Sequence, residues 1–185
     1  SKIELVENQQ KADTTTMSAD IKDEVSDTVS KILSDSLQFE NLKTRYGSLA
    51  YSQAYAEESV TTIENDVLLL KINTKGGYPE EVLLKNFKTY DSIPVYLIKD
   101  GNSAFNLQFS AENITFNTQD LIFEPQLSKN GKNTVLSMRL NASDKSYLEY
   151  RYELKPGEYM VDFAIQSRGM ENFLTTSQPA RLDWQ

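Results

Sequence analysis

The carboxylates are the first side chains to test for chemistry. Glu57-Glu58, Glu80-Glu81, Asp120 and Glu124 are the candidates. Acid–base work on a glycosidic bond needs two carboxyl groups facing each other across a cleft. Glu80 and Glu81 are sequence neighbours, and on a strand such neighbours point to opposite faces, so they cannot form that pair. Charges of a solvated face account for these residues more simply. No other residue type supplies the missing chemistry. The chain has no histidine, so the usual neutral-pH base and imidazole zinc ligands are absent. It has no cysteine, which removes disulfides, thiolate catalysis and cysteine metal sites. No Asp/Asn cluster matches a calcium loop, and no Ser–Lys pair stands in an S-x-x-K context. The residues imply no catalytic centre, no cofactor and no metal.

Gly76-Gly77 is the next candidate, a glycine pair in a chain with only 7 glycines. A phosphate loop needs a helix starting just after its glycines, so that N–H groups and the helix dipole face the anion. Here Pro79 and the alternating Glu80-Glu81-Val82-Leu83-Leu84-Lys85-Asn86-Phe87 follow, and the Gly-Lys-Ser/Thr ending of a P-loop is missing. The pair is expected to be a structural turn or bulge with positive φ. Late in the chain Tyr147, Tyr150, Tyr152, Tyr159 and Phe163 form an aromatic group. Exposed, they could stack on sugars or grip peptide. Alternation places Tyr150 and Tyr152 with Leu148 and Leu154, which favours core packing.

Charge narrows the partners. Residues 1–58 hold 6 Lys+Arg against 11 Asp+Glu, net −5, and the remainder 13 against 16, net −3. With no basic stripe to displace phosphate counterions, nucleic-acid binding is disfavoured, and so is clinging to anionic lipid headgroups. No stretch approaches the length of apolar sequence that spans a bilayer. The chain opens on Ser1 and reads as a processed chain or an excised fragment.

Around these residues the elements fall into three parts. Residues 1–17 are polar and aperiodic and read as a flexible linker. Over 18–47, Ile21, Val25, Val29, Ile32, Leu33, Phe39, Leu42 and Tyr46 recur at helical spacing. Ser18 or Asp20 caps the start, Lys43 and Arg45 suit the last turn, and Gly47 stands at the stop. One amphipathic helix near 19–46 is predicted, its stripe docking on the chain's own sheet or else on a partner. From residue 57 to 185 the texture is β: about ten short runs with period-two alternation, a pattern that means a sandwich or barrel. Turn signals separate them at Gly76-Gly77, Asp100-Gly101-Asn102, Asn130-Gly131 and Pro156-Gly157. Asn-Gly suits a type I′ turn and Pro-Gly a type II turn. Without helices between strands, the connections are antiparallel. The closing Ala180-Arg181-Leu182-Asp183-Trp184-Gln185 alternates like a strand still running, so the β domain is expected to be truncated there, with self-association of its exposed edge.

The ordered set Asn65-Asp66-Val67-Leu68, Asn73-Thr74-Lys75-Gly76-Gly77, Val82-Leu83-Leu84 and Phe87-Lys88-Thr89-Tyr90 resembles the opening of the large periplasmic domain of YidC-type membrane protein insertases. The helix end Arg45-Tyr46-Gly47-Ser48-Leu49-Ala50-Tyr51-Ser52-Gln53-Ala54 and the run from Tyr147 to Gly169 are similar to that family too. The resemblance covers about residues 40–170, discontinuously. It implies a mainly β fold, an antiparallel β-supersandwich of the galactose-mutarotase-like kind behind one long N-terminal α-helix. It implies a place on the periplasmic face of the bacterial inner membrane, tethered by transmembrane segments outside this chain. It also implies Sec translocon subunits and nascent membrane proteins as partners, with no catalytic residues carried over. A carbohydrate-binding module, or another carbohydrate-active protein of the same fold, is the alternative. Mutarotase-type chemistry needs a histidine that is not here.

Overall fold

The eleven strands begin where the alternation begins. The computed structural model describes residue 31, residues 33–175 and residues 177–185. Chain contacts divide it into two units, Ser1–Asn41 and Leu42–Gln185. In the first unit the described residues are helical. The helix α1, described over 33–46, crosses into the second unit and stops before Gly47, where φ is +52°. Ile21, Val25, Val29 and Ile32 lie outside the described residues. The linker 1–17 and the start of the helix near 18–30 do as well.

After Gly47 the chain does something the helix-stop reading did not anticipate. A 3-10 turn, Gly47–Leu49, leads directly into a second helix α2, Ala50–Tyr55, which ends as Ala56 turns extended. Leu49 and Ala50 are buried. The turn at Gly47 needs glycine for space as well as for φ. A Cβ there would fall against the Glu112 carboxylate, which accepts a hydrogen bond from Ser48 N at 2.7 Å and another from the Ser48 hydroxyl.

The strands are β1 Val60–Glu64, β2 Leu68–Asn73, β3 Pro79–Lys88, β4 Pro94–Ile98, β5 Phe105–Ala111, β6 Ile114–Asn117, β7 Glu124–Asn130, β8 Asn133–Ser143, β9 Ser146–Leu154, β10 Val161–Arg168 and β11 Arg181–Trp184. They form three sheets, β1-β2-β3-β4, β10-β9-β8-β7 and β11-β5-β6, and every pairing between them is antiparallel. The mainly β, antiparallel sandwich architecture expected from the runs is the one observed. Alternation decides what each strand buries: Leu68, Leu70 and Ile72 on β2, and Phe105, Leu107, Phe109 and Ala111 on β5, all face the core.

Turn chemistry explains the hairpins, with one correction. Pro156-Gly157 is a type II turn as expected, with Gly157 at φ +71° and Glu158 N donating to Lys155 O. At the β7–β8 hairpin Asn130 pairs with Asn133, so the loop is Gly131-Lys132 and positive φ falls on Gly131 alone. That is a type II′ turn, not the type I′ turn that Asn130-Gly131 suggested, because Asn130 is still a strand residue. A type I′ turn occurs instead at Glu112-Asn113, where both φ values are positive.

The three sheets share one core. The Tyr150 ring meets Phe123 at 4.7 Å, Phe105 at 5.5 Å and Phe163 at 5.7 Å between centroids. Polar ties brace the same junction. The Tyr152 hydroxyl donates to Gly77 O at 2.7 Å, joining β9 to the β2–β3 turn. Asn65 accepts from Val67 N and Leu68 N to shape the β1–β2 turn, and its Nδ2 donates to the carbonyls of Lys155 and Glu158, both at 2.7 Å. Gly76 N donates to Leu121 O and Phe123 N to Thr74 O. The opposite face of β9 is also covered: Glu149 and Glu153 are buried, held by Arg139 and Arg151. Period-two alternation therefore separates apolar from ionic on this strand, not buried from exposed.

Candidate functional site

The residue that fixes one broad groove of the β domain is Gln53. One face of α2 packs down through Leu49 and Ala50 at its entry. Gln53, in mid-helix, reads the backbone of the segment before β7 in both directions, donating to Ile122 O and accepting from Ile122 N, each at 2.9 Å. This paired amide holds α2 beside the β7–β8–β9 sheet. Tyr51 and Tyr55, one helical turn apart, are left on the outer side of α2. Their ring centroids are 5.0 Å apart, and they are 68% and 73% exposed.

Between these tyrosines and the sheet runs an open groove of about 920 Å³. Its sheet side carries Glu124, Gln126, Arg139, Asn141 and Tyr147, and Glu57 and Asp144 stand at its margins. The polar groups are already organised. Asn141 Nδ2 donates to Glu124 Oε2 at 2.7 Å. Arg139 donates through Nε to Glu149 at 2.9 Å, and its guanidinium lies 4.3 Å from the centre of the Tyr147 ring. Among the described residues β7, beside the groove, forms the end of its sheet, and all seven of its residues are exposed. Such a surface offers aromatic faces, amide hydrogen bonds and an unpaired strand edge. Those are the means of holding an extended chain.

Among the described residues the shifted groups owe their shifts to ion pairs, hydrogen bonds and burial. Hydrogen bonds from Asn133 and Arg151, then Asn130, hold the Glu153 carboxyl at about 2. Lys71 is raised by its bond to Glu81, and Lys155 by its bond to Asp162. Burial raises the phenols of Tyr150 and Tyr152. None of these groups lines the groove. Among the described residues no cluster of three or more His, Cys, Asp or Glu could hold a metal ion.

The acidic candidates do not converge on a pair. Glu81 bonds Lys71 at 3.0 Å, Glu80 accepts from Asn73 at 3.1 Å, and Glu58 lies 4.0 Å from Lys75. Glu57 and Glu124 both line the groove, but Glu124 is engaged by Asn141. Gly76 and Gly77 have φ of +82° and +67°, and a Cβ on Gly77 would sit 3.0 Å from the Phe123 ring. In the helical stripe Leu33 is exposed, Phe39 and Leu42 are half-buried, and Tyr46 packs against the core. The late aromatics form no stacking row: Tyr150 and Tyr152 are core residues with Phe163 against them, while Tyr147 turns to the groove. Sequence reasoning missed Tyr51 and Tyr55. Their signal was the i, i+4 spacing just past Gly47, in a segment left without an element.

Residues 60–185 match the family model of the YidC periplasmic domain. The chain is similar to a membrane protein insertase YidC of Porphyromonas gingivalis, 37% identical over 142 residues that make up 76% of this chain and 22% of that protein. A membrane protein insertase YidC of Parabacteroides distasonis is 36% identical over 149 residues, 80% of this chain and 23% of that protein. One of Phocaeicola vulgatus is 34% identical over 126 residues, 68% of this chain and 20% of that protein. No solved structure matches significantly. The chain spans about a fifth to a quarter of the length of these relatives. Joined to the antiparallel sandwich and its Gly76-Gly77 turn, these matches mean that the chain belongs to the YidC periplasmic domain family.

Proposed function

We propose that this chain is the periplasmic part of an inner-membrane protein insertase. It is not itself an enzyme, and it assists insertion and folding of membrane proteins, alone or together with Sec translocon subunits. The observation that carries this reading is the family match over residues 60–185. The groove beside α2 gives it a working surface. An extended segment of a nascent membrane protein would lie against Tyr51, Tyr55 and Tyr147, with the free edge of β7 within reach for backbone pairing. The apolar stripe predicted from the sequence, Ile21 to Tyr46, is a second proposed contact surface. The carbohydrate reading loses part of its support, because Tyr150 and Tyr152 are in the core, although Tyr147 lines the groove and Tyr159 is exposed.

The test is site-specific photocrosslinking in the full-length protein during synthesis of a membrane-protein substrate. A photoreactive residue at Tyr55 should capture nascent chain, and one at Lys132, on the far turn of β7, should not. Equal capture at both positions, or none at Tyr55, would count against the groove. Crosslinks from Tyr55 to a translocon subunit alone would reassign it to partner docking.

A further inference from the structure

The hairpin between β3 and β4 is built unlike the other turns. Its loop, Tyr90-Asp91-Ser92, is closed on itself: Thr89 N donates to Ile93 O at 2.8 Å, Ser92 N to Thr89 O at 2.9 Å, and Ile93 N to the Thr89 hydroxyl at 3.2 Å. Ser92 takes positive φ, +62°, which completes a type I turn with a left-handed residue behind it. The tip is therefore a defined shape, and the shape puts large apolar side chains into solvent. Tyr90 is 103% exposed, and Phe87, Ile93 and Leu97 are each exposed by half or more. The apolar surface continues sideways. Phe87 meets Tyr159 edge-on at 5.7 Å, and Met160 beside Tyr159 is exposed too.

We propose that this hairpin tip dips into the interfacial layer of a phospholipid bilayer. Three features select a bilayer over a protein partner. The first is satisfaction of the backbone. The N–H groups of Thr89, Ser92 and Ile93 already have partners within the hairpin, so among the described residues only those of Tyr90 and Asp91 in the loop still need acceptors, which headgroup oxygens and interfacial water supply. The second is shape. A standard protein interface buries about 800 Å² on each side, and a convex three-residue tip cannot offer that, whereas lipid can surround it. The third is chemistry. Tyrosine is the side chain of the membrane–water boundary, and Lys88 has the reach to keep its ammonium at the headgroups while its stem lies along apolar surface. Lys88 and Asp91 balance, so the tip is neutral in a chain of net charge −8. The acidity that disfavours headgroup binding by the chain as a whole is not present where contact would be made. The inference takes from the proposed function only that a bilayer is near.

The absence of cysteine allows a clean test. The whole chain, carrying an N-terminal oligohistidine tag, is tethered to vesicles of phosphatidylethanolamine and phosphatidylglycerol doped with a nickel-chelating lipid. Tyr90→Cys and Lys132→Cys are each labelled with an environment-sensitive fluorophore. The label at 90 should shift to the blue and brighten several-fold on tethering, and nitroxide lipids labelled near the headgroup should quench it. The label at 132 should do neither. Phe87→Ser with Ile93→Ser should reduce the response at 90 while leaving the thermal midpoint unchanged. An unresponsive label at 90, or equal responses at both positions, overturns the proposal. A blue shift that grows with protein concentration in the absence of vesicles also overturns it, in favour of pairing between copies. Failure here leaves the groove and its crosslinks untouched.

Discussion

Strand β3 has a turn at each end, and the two are opposites. At its start Gly76 and Gly77 are wrapped by the core: Phe123 lies against Gly77, Leu121 O receives Gly76 N, and the Tyr152 hydroxyl reaches across from another sheet to Gly77 O. At its end the Tyr90 loop receives no hydrogen bond from another element among the described residues and holds its aromatic ring in solvent. Both are tight, hydrogen-bonded turns with a left-handed residue. Local rules make the turn in each case. What surrounds it decides whether the turn stabilises the fold or presents a surface.

Substitutions should separate the two sharply. Gly77→Val is expected to cost the most, about 3 kcal/mol or more, since a β-branched residue at positive φ adds strain and its side chain overlaps Phe123. Chemical denaturation would show it as a lower midpoint. A midpoint within error of the parent would mean that the turn can rebuild around the side chain. Gly76→Val should be milder, because its nearest obstacle is the Tyr78 side chain at 3.2 Å, which can move.

Tyr152→Phe comes next, at about 1–2 kcal/mol, because it leaves the Gly77 carbonyl without its donor. Tyr150→Phe is the control on the same strand face. No partner lies in hydrogen-bonding geometry to the Tyr150 hydroxyl among the described residues, and Thr118, which it faces, already accepts from Leu107 N at 2.8 Å. Removing that hydroxyl should be neutral or mildly stabilising. If both variants lose the same stability, the brace between Tyr152 and Gly77 is not what holds the turn.

Acid probes the same strand from its other face. Glu153 is held at about 2, below the ordinary 4.5, so the stability it contributes is present above 4.5 and is lost as pH falls through about 2. Glu153→Gln should therefore flatten the fall in stability between those values and leave its shape above pH 5 unchanged. Thermal midpoints of parent and variant across that window would decide it; parallel curves would deny Glu153 its share of the acid slope.

The smallest effect belongs to the exposed turn. Tyr90→Ser should change stability by no more than about 0.5 kcal/mol, as expected for a surface position outside the packed core. A larger loss, seen in the same denaturation series, would mean that the hairpin packs on something and would weaken the contrast between the two ends of β3.

How far these differences could be read in advance depended on whether a signal is local. Ten of the strands follow from short alternating runs, and the eleventh from Leu182 alternating with Trp184, because side-chain direction on a strand repeats every two residues wherever the strand lies. The class of fold, the antiparallel connections and the family were legible for the same reason: each rests on residues close in sequence. Tertiary structure alone decided the rest. It folded the segment after Gly47 into α2, through a Glu112 carboxylate that is 64 residues away from Ser48. It set Tyr51 and Tyr55 over a groove by way of the amide of Gln53, 69 residues from Ile122. It brought the Tyr152 hydroxyl to Gly77 O, 75 residues distant, while leaving Tyr90 in water. Alternation gives each strand residue its face, but which distant residue meets that face is set by what arrives from elsewhere in the chain, and no window of sequence contains that partner.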